Sequence, residues 1–469
     1  MSLLLLLIPL ICVFVLNLPR RSVAARIAPW VVGLACLAQA VIASTSFLAI
    51  WEPVNKLLTL PLPIELSVDA ITAVVLFTIA LVAATALAVG VQGDARTKVI
   101  TSSLILICIA GMNGVVMVRD LFSLFIFLEI TAVSSFILIA SRRSLSAFSG
   151  AFKYFILSGL ATSAMLLANA LVFMKVGSLS FTDIGVLLES QDLTVQIALV
   201  LFVIAFCVKA GAVPFHGWLP DAYATPSNAV SVLLAGVITK VCGAYVIIRL
   251  MTDLFSDLAT PGMAFMALGA LTIIVGAFAA MGQKDMKRML AFSSISQMGY
   301  IILAAGLATP LAIIGAMVHF VNHALFKSLL FVNAAAVEEQ AGTTEFDELG
   351  GLIERQKVTG WTSVIGFLST AGIPPLSGFW SKLLIIIALV FAGQWAYAVI
   401  AILMSLITLG YFLILQRRVF FGKLREGLEG LREARRSLVG ASLALAGLTT
   451  VLGVLFPVVL IIMRNFGAL

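Results

Sequence analysis

Apolar residues run through this chain in blocks of about 20, separated by short polar stretches, from residue 2 to residue 463. At the 1.5 Å rise of a helix, blocks of that length cross a bilayer. Fourteen spans are predicted, near residues 2–17, 28–48, 70–91, 98–118, 121–140, 150–174, 194–213, 228–250, 262–282, 288–307, 310–335, 361–390, 394–416 and 438–463. The pattern predicts an all-α integral membrane fold, with residues 1–469 forming one polytopic membrane domain.

Composition agrees with the pattern. Of 469 residues, 62% are hydrophobic and 11% charged, where an ordinary soluble domain carries about 25% charged residues. The first span has no basic residue before it and no clear small-residue cleavage site after it, so it reads as a retained helix and not a signal peptide. A net charge of +7 raises the question of nucleic acid, but the basic residues are scattered over loops and the aromatics belong to spans. No nucleic-acid partner is expected.

Counting charge loop by loop is more informative. The loops after spans 1, 3, 5, 9 and 13 hold more than half of the 29 Lys and Arg, including Arg20, Arg21, Arg142, Arg143, Lys287, Arg288, Arg417, Arg418 and Arg436. Those after spans 2, 4, 6 and 8 hold only Lys56, Arg119, Lys175 and Arg249. The positive-inside rule makes the first set cytoplasmic and places both termini on the outer side of the cell (inner) membrane. In the cytoplasmic connector 417–436, apolar residues alternate with charges, a pattern that predicts an amphipathic surface helix facing lipid headgroups, a neighbouring subunit or solvent.

Cys12, Cys36, Cys108, Cys207 and Cys242 all fall in apolar spans without metal or cluster spacing, and no glycine-rich nucleotide loop is present. No cofactor is expected in this chain, so any electron or nucleotide chemistry belongs to another polypeptide.

Ionisable residues inside spans are costly, at about 2.5–3.5 kcal/mol each at the bilayer centre, and mark ion paths by default. Glu129, Lys209, Lys240, His319, His323, Lys327 and Lys382 are so placed. Lys240 is ten residues from Val230 and nine from Arg249, too deep to reach an interface easily. Glu129, the one acidic residue between Asp120 and Ser141, calls for a cationic partner. His319, His323 and Lys327 follow at i, i+4 and i+8, which puts three titratable groups on one helix face in the manner of a proton relay. Zinc binding by the two histidines is disfavoured by the adjacent Lys327 and the lack of an acidic or Cys ligand nearby.

Residues 210–217, AGAVPFHG, and 371–378, AGIPPLSG, share the pattern AGxxPxxG, followed by Trp218 and Trp380. Each lies in a span that also holds a lysine, Lys209 or Lys382. Proline and glycine free backbone groups that must face protein or water at membrane depth. Broken helices in corresponding halves are a mark of inverted-repeat transporters. Spans 7 and 12 are five apart, which implies repeats over residues 98–250 (spans 4–8) and 262–416 (spans 9–13), and an odd number of spans per repeat inverts their topology.

Four long segments carry a resemblance: FHGWLPDAYATPSNAVSVLLAGVITK, QKDMKRMLAFSSISQMGY, NHALFKSLLF and AGIPPLSGFWSK. From about residue 65 to 420 the chain resembles the antiporter-like subunits shared by respiratory complex I, Mrp-type cation/proton antiporters and membrane-bound hydrogenases. That resemblance implies fourteen helices, two inverted five-helix repeats and breaks in helices 7 and 12. It also implies a modulating ion pair between Glu129 and Lys209, a central axis of Lys240, His319 and His323 with Lys327 in the same motif, and an exit at Lys382. Lysine in span 12 and an end after span 14 resemble the compact, middle-position subunits.

The function so implied is proton translocation in a redox-driven complex, beside antiporter-like paralogues, small membrane subunits, lipids and a peripheral redox arm. The alternatives are a subunit of an Mrp-type Na+/H+ antiporter without redox chemistry, and a structural subunit that has lost conduction. The full set of intramembrane charges argues against the last.

Overall fold

A computed structural model describes residues 2–46, 65–187, 192–255 and 259–465. Among these the chain is helical, with only three isolated antiparallel bridges and no strand. The long helices are α1 Ser2–Asn17, α2 Arg21–Ser44, α3 Ala70–Val89, α4 Ala95–Met117, α5 Leu121–Ala140, α6 Leu145–Val176 and α7 Leu193–Ala210. They continue with α8 Asn228–Asp253, α9 Ala259–Met281, α10 Met286–Leu307, α11 Pro310–Ala341, α12 Lys357–Ala371, α13 Ser377–Phe391, α14 Trp395–Leu415 and α15 Arg436–Asn465.

Twelve helices among the described residues are long and apolar enough to cross a membrane. The first predicted span is the 16-residue α1, and the twelfth is divided into α12 and α13. The end of the second span and Lys56 lie outside the described residues. Four of the five cysteines are buried as free thiols and Cys12 is half-buried, as packing residues should be.

Aspartates set where several helices begin. The side chains of Asp69, Asp94, Asp120 and Asp285 each accept the backbone N–H three residues on, at 2.7–2.9 Å. Each cap satisfies a donor that the first helical turn leaves open.

The chain folds as two compact units, Met1–Gly211 with Thr225–Pro261, and Ala212–Ala224 with Gly262–Leu469. One local construction occurs in each. In the first unit, Asp120 caps α5 and bridges to Ser180, beyond the 32-residue α6, which ends on left-handed Gly177. In the second, Asp285 caps α10 and bridges to Glu345, beyond the 32-residue α11, which ends on left-handed Gly342.

Both AGxxPxxG segments interrupt helices, for the same backbone reason. Gly211 caps α7 at φ 65° and Gly372 caps α12 at φ 85°, a region that disfavours any side chain. Beyond them the copies diverge. The first passes through the turn His216–Trp218 into the short helix Leu219–Ala224, whereas the second enters the 15-residue α13 directly. A Cβ on Gly217 would meet nothing within 4 Å, but one on Gly378 would collide with the Ser369 carbonyl oxygen. Gly378→Ala is therefore expected to unseat α13 from α12 and lower the thermal midpoint of the purified protein, while Gly217→Ala leaves it unchanged.

Residues 421–435 do not form the surface helix that their charge pattern predicts. After a π-helical turn at Gln416–Phe420 the chain runs as turns and coil until α15, with Gly422 and Gly427 at positive φ. Three glycines in nine residues (Gly422, Gly427, Gly430) outweigh the amphipathic alternation.

Candidate functional site

In the first unit the structure brings Glu129 of α5 and Lys209 of α7 together. Lys209 is the penultimate residue before the Gly211 cap, so its ammonium stays at the end of an intact helix. It donates to Glu129 Oε1 at 3.0 Å, to Ser158 Oγ at 2.8 Å and to Thr162 Oγ1 at 3.4 Å. Those three acceptors match the three hydrogens of an ammonium. Thr162 also donates to the Glu129 carboxylate, tying the two hydroxyls of α6 to the ion pair. The lysine side chain is 3% exposed and the carboxylate 32%. The carboxylate thus has room to withdraw, and the hydroxyls would still hold two ammonium hydrogens.

Ser158 and Thr162 were not legible as partners. Hydroxyls are common in membrane helices because they can bond their own helix, and Thr162 also donates to the Ser158 carbonyl at 2.9 Å.

Lys240 sits on α8, which is buried from residue 229 to 251. The helix is distorted on both sides of it, with π-helical turns at Leu234–Ile238 and Lys240–Tyr245. Such turns are frequent at functional sites. The ammonium donates to the carbonyl of Ala235, five residues back, and forms no ion pair among the described residues.

The second unit gathers the remaining predicted residues. His319, His323 and Lys327 are fully buried on α11 and do share a face, the two imidazole centroids lying 6.0 Å apart. His319 Nδ1 is 2.9 Å from Ser381 Oγ on α13. Lys327 donates to Ser293 Oγ at 2.8 Å and to the Leu290 carbonyl at 3.1 Å, both on α10, and Tyr411 of α14 donates to the same Ser293 oxygen at 2.8 Å. Lys382 follows the second break, donating to Ser405 Oγ at 3.2 Å, with its ammonium 4.6 Å from the Tyr300 ring centroid. Tyr300 is in turn 5.7 Å from His319. Hydroxyls and rings so link Lys382 to His319, while Ser293 and Tyr411 hold Lys327. His216, at the first break, contacts Phe292 and belongs to neither cluster.

Two residues counted as loop charges are instead buried cations, each in an ion pair. Lys287 is 2% exposed and bonds Glu338 at 2.6 Å. Arg249 lies in the last turns of α8, 8% exposed, and pairs with Asp69, with further bonds to Thr72 at 2.9 Å and Tyr245 at 2.8 Å. Burial by itself would raise the Asp69 carboxyl, but the bonds from Arg249 and from the Thr72 backbone outweigh it and lower the group to about 2.

A folded value below the ordinary 3.8 means that Asp69 contributes stability above about pH 4 and loses it as pH falls toward about 2. Asp69→Ala is expected to cost about 1–3 kcal/mol near neutrality, because it leaves Arg249 enclosed without its main acceptor. Thermal melts of the detergent-solubilised protein at pH 7 and pH 3 check both points, since the variant's deficit should shrink at the lower pH.

Residues 118–408, well over half the chain, match the family described as NADH:quinone oxidoreductase/Mrp antiporter, transmembrane. The chain belongs to that family. A curated relative, an Na(+)/H(+) antiporter subunit of Alkalihalophilus pseudofirmus, is 32% identical over 350 residues, 74% of this chain and 70% of its own. A subunit of the F(420)H(2) dehydrogenase of Methanosarcina mazei is 33% identical over 349 residues, 70% and 68% of the two chains. A chain of the membrane-bound sulfane sulfur reductase, an archaeal respiratory membrane complex, superposes with a TM-score of 0.87 at 27% identity, covering 100% of this chain and 96% of the other. Family members thus occur both in antiporters and in redox-driven complexes, each a multisubunit membrane assembly.

Proposed function

We propose that this chain translocates protons as an antiporter-like subunit of a redox-driven multisubunit complex, without redox chemistry of its own. The observation that carries the reading is Lys240, a fully buried lysine on a distorted helix with no counter-ion among the described residues. A structural cation is held by a carboxylate, as Arg249 is by Asp69. An unpaired buried amine is suited to gaining and losing a proton.

The first unit contributes Glu129, Lys209 and Lys240, and the second His319, His323, Lys327 and Lys382. Glu129 beside Lys209 stabilises the ammonium, and its withdrawal drives the proton onward to Lys240. Residues 98–250 (spans 4–8) and 262–416 (spans 9–13) serve as the inverted repeats. Their matched aspartate caps, 32-residue helices and glycine-ended breaks support that reading. Neighbouring membrane subunits cover the open side of Glu129, since lipid offers a carboxylate no partner.

A second reading, a subunit of an Mrp-type Na+/H+ antiporter, is favoured by the 32% identity to the antiporter relative. The groups of the path are nitrogen bases with one carboxylate, which suit protons better than sodium, a cation that takes oxygen ligands. Purification with neighbouring subunits separates the two. Iron-sulfur or nickel proteins, and substrate-driven proton uptake in sealed liposomes, are expected; small membrane subunits alone, with uptake driven only by a sodium gradient, would establish the antiporter.

The chain is placed in the cell (inner) membrane with both termini outside. A single cysteine introduced at residue 427 of a cysteine-free variant should react with an impermeant maleimide in inverted vesicles and not in intact cells. Labelling in intact cells would reverse the topology.

A further inference from the structure

One buried polar side chain in the second unit has no role in the path described so far. Gln297 on α10 is fully buried, and neither its Oε1 nor its Nε2 has a hydrogen-bond partner among the described residues. An isosteric apolar side chain avoids that desolvation cost, so packing does not explain an amide there.

Its position does. Ser293, Gln297 and Tyr300 follow at i, i+4 and i+7, one stripe of α10. The opposite packing surface is taken by α9, where Ser296 and Gly299 meet Gly276 and Gly269. At one end of the stripe Ser293 holds Lys327, and at the other the Tyr300 ring lies against Lys382 and His319. Gln297 stands between them, about 6 Å along the axis from Ser293 and about 4.5 Å from Tyr300. Helices α10 and α11 run antiparallel through a two-residue turn. Ser293 pairs with Lys327, so four residues forward on α10 correspond to four back on α11, and Gln297 is level with His323.

We propose that Gln297 is a positioning residue of the proton path, its amide holding water between the Ser293–Lys327 and Tyr300–Lys382 contacts at the level of His323. A side-chain amide offers two donors and one acceptor oxygen without itself titrating. It can orient water that hands a proton on, and buried water needs two to four such partners. The inference rests on the reading of this chain as a proton carrier.

The test uses the assembled complex in sealed liposomes and compares wild type, Gln297→Leu, Gln297→Asn and Lys382→Ala by proton uptake and thermal midpoint. Gln297→Leu should lower uptake roughly tenfold with an unchanged or raised midpoint, because an unsatisfied amide has been removed. Gln297→Asn, which keeps the amide and leaves more room for water, should retain most of the activity. Wild-type uptake in Gln297→Leu alongside loss in Lys382→Ala would overturn the inference and leave the path standing. Normal uptake in both would overturn the path itself. Failed assembly, a fall in midpoint in step with uptake, or Asn as poor as Leu would each make Gln297 a packing residue and end the proposal.

Discussion

Lys240→Ala is expected to lower proton movement by the assembled, reconstituted complex about a hundredfold or more, the scale on which a positioned proton-transfer group acts. The alanine leaves no amine on the buried stretch of α8, whose other cation, Arg249, is held by Asp69 and keeps its proton. Lys240→Arg should fail nearly as badly, because a guanidinium keeps its proton under all ordinary conditions. Lys240→Met separates mechanism from architecture. Among the described residues the native ammonium has a single carbonyl acceptor and no ion pair, so an apolar chain of similar length should leave the thermal midpoint unchanged or raise it. Dye-monitored uptake and a melt on the same preparations decide the matter. Wild-type uptake by Lys240→Ala, or a methionine variant that falls apart, would remove Lys240 from the path.

What the sequence conveyed and what it hid follow from the reach of each signal. A charge in the middle of an apolar run is conspicuous, which is why Glu129, Lys209, Lys240 and Lys382 were legible, and spacing on one helix gave the shared face of His319, His323 and Lys327. A charge near the end of a run is ambiguous. Arg249 and Lys287 read as loop residues because their partners, Asp69 and Glu338, lie 180 and 51 positions away and only the fold brings them close. The π-helical turns around Lys240 were equally invisible, since hydropathy does not register whether a carbonyl is bonded four or five residues on. Residues 417–436 erred in the other direction. Periodicity suggested a helix that the glycines do not permit.

The Glu129–Lys209 contact carries the second large expectation. Glu129→Gln keeps a hydrogen-bond acceptor for Lys209 and Thr162 but removes the charge, and should slow proton uptake about ten- to a hundredfold, equivalent to one charge-assisted hydrogen bond of ~1.5–3 kcal/mol. Lys209→Met should slow it at least as much. If the two residues act as one switch, Glu129→Gln/Lys209→Met is no slower than Lys209→Met alone, because the second change removes a partner that no longer has anything to modulate. Independent roles predict instead that the two losses multiply. Stability adds a separate constraint. Lys209 is enclosed and keeps Ser158 and Thr162 as acceptors, so Glu129→Gln should assemble normally. Ser158→Ala/Thr162→Ala combined with Glu129→Gln would leave a buried ammonium only a neutral amide oxygen as acceptor and should lower the thermal midpoint sharply. A contact that served only to fix helix register would reverse this order: the single Glu129→Gln change would loosen the complex and leave the rate per assembled molecule unaltered.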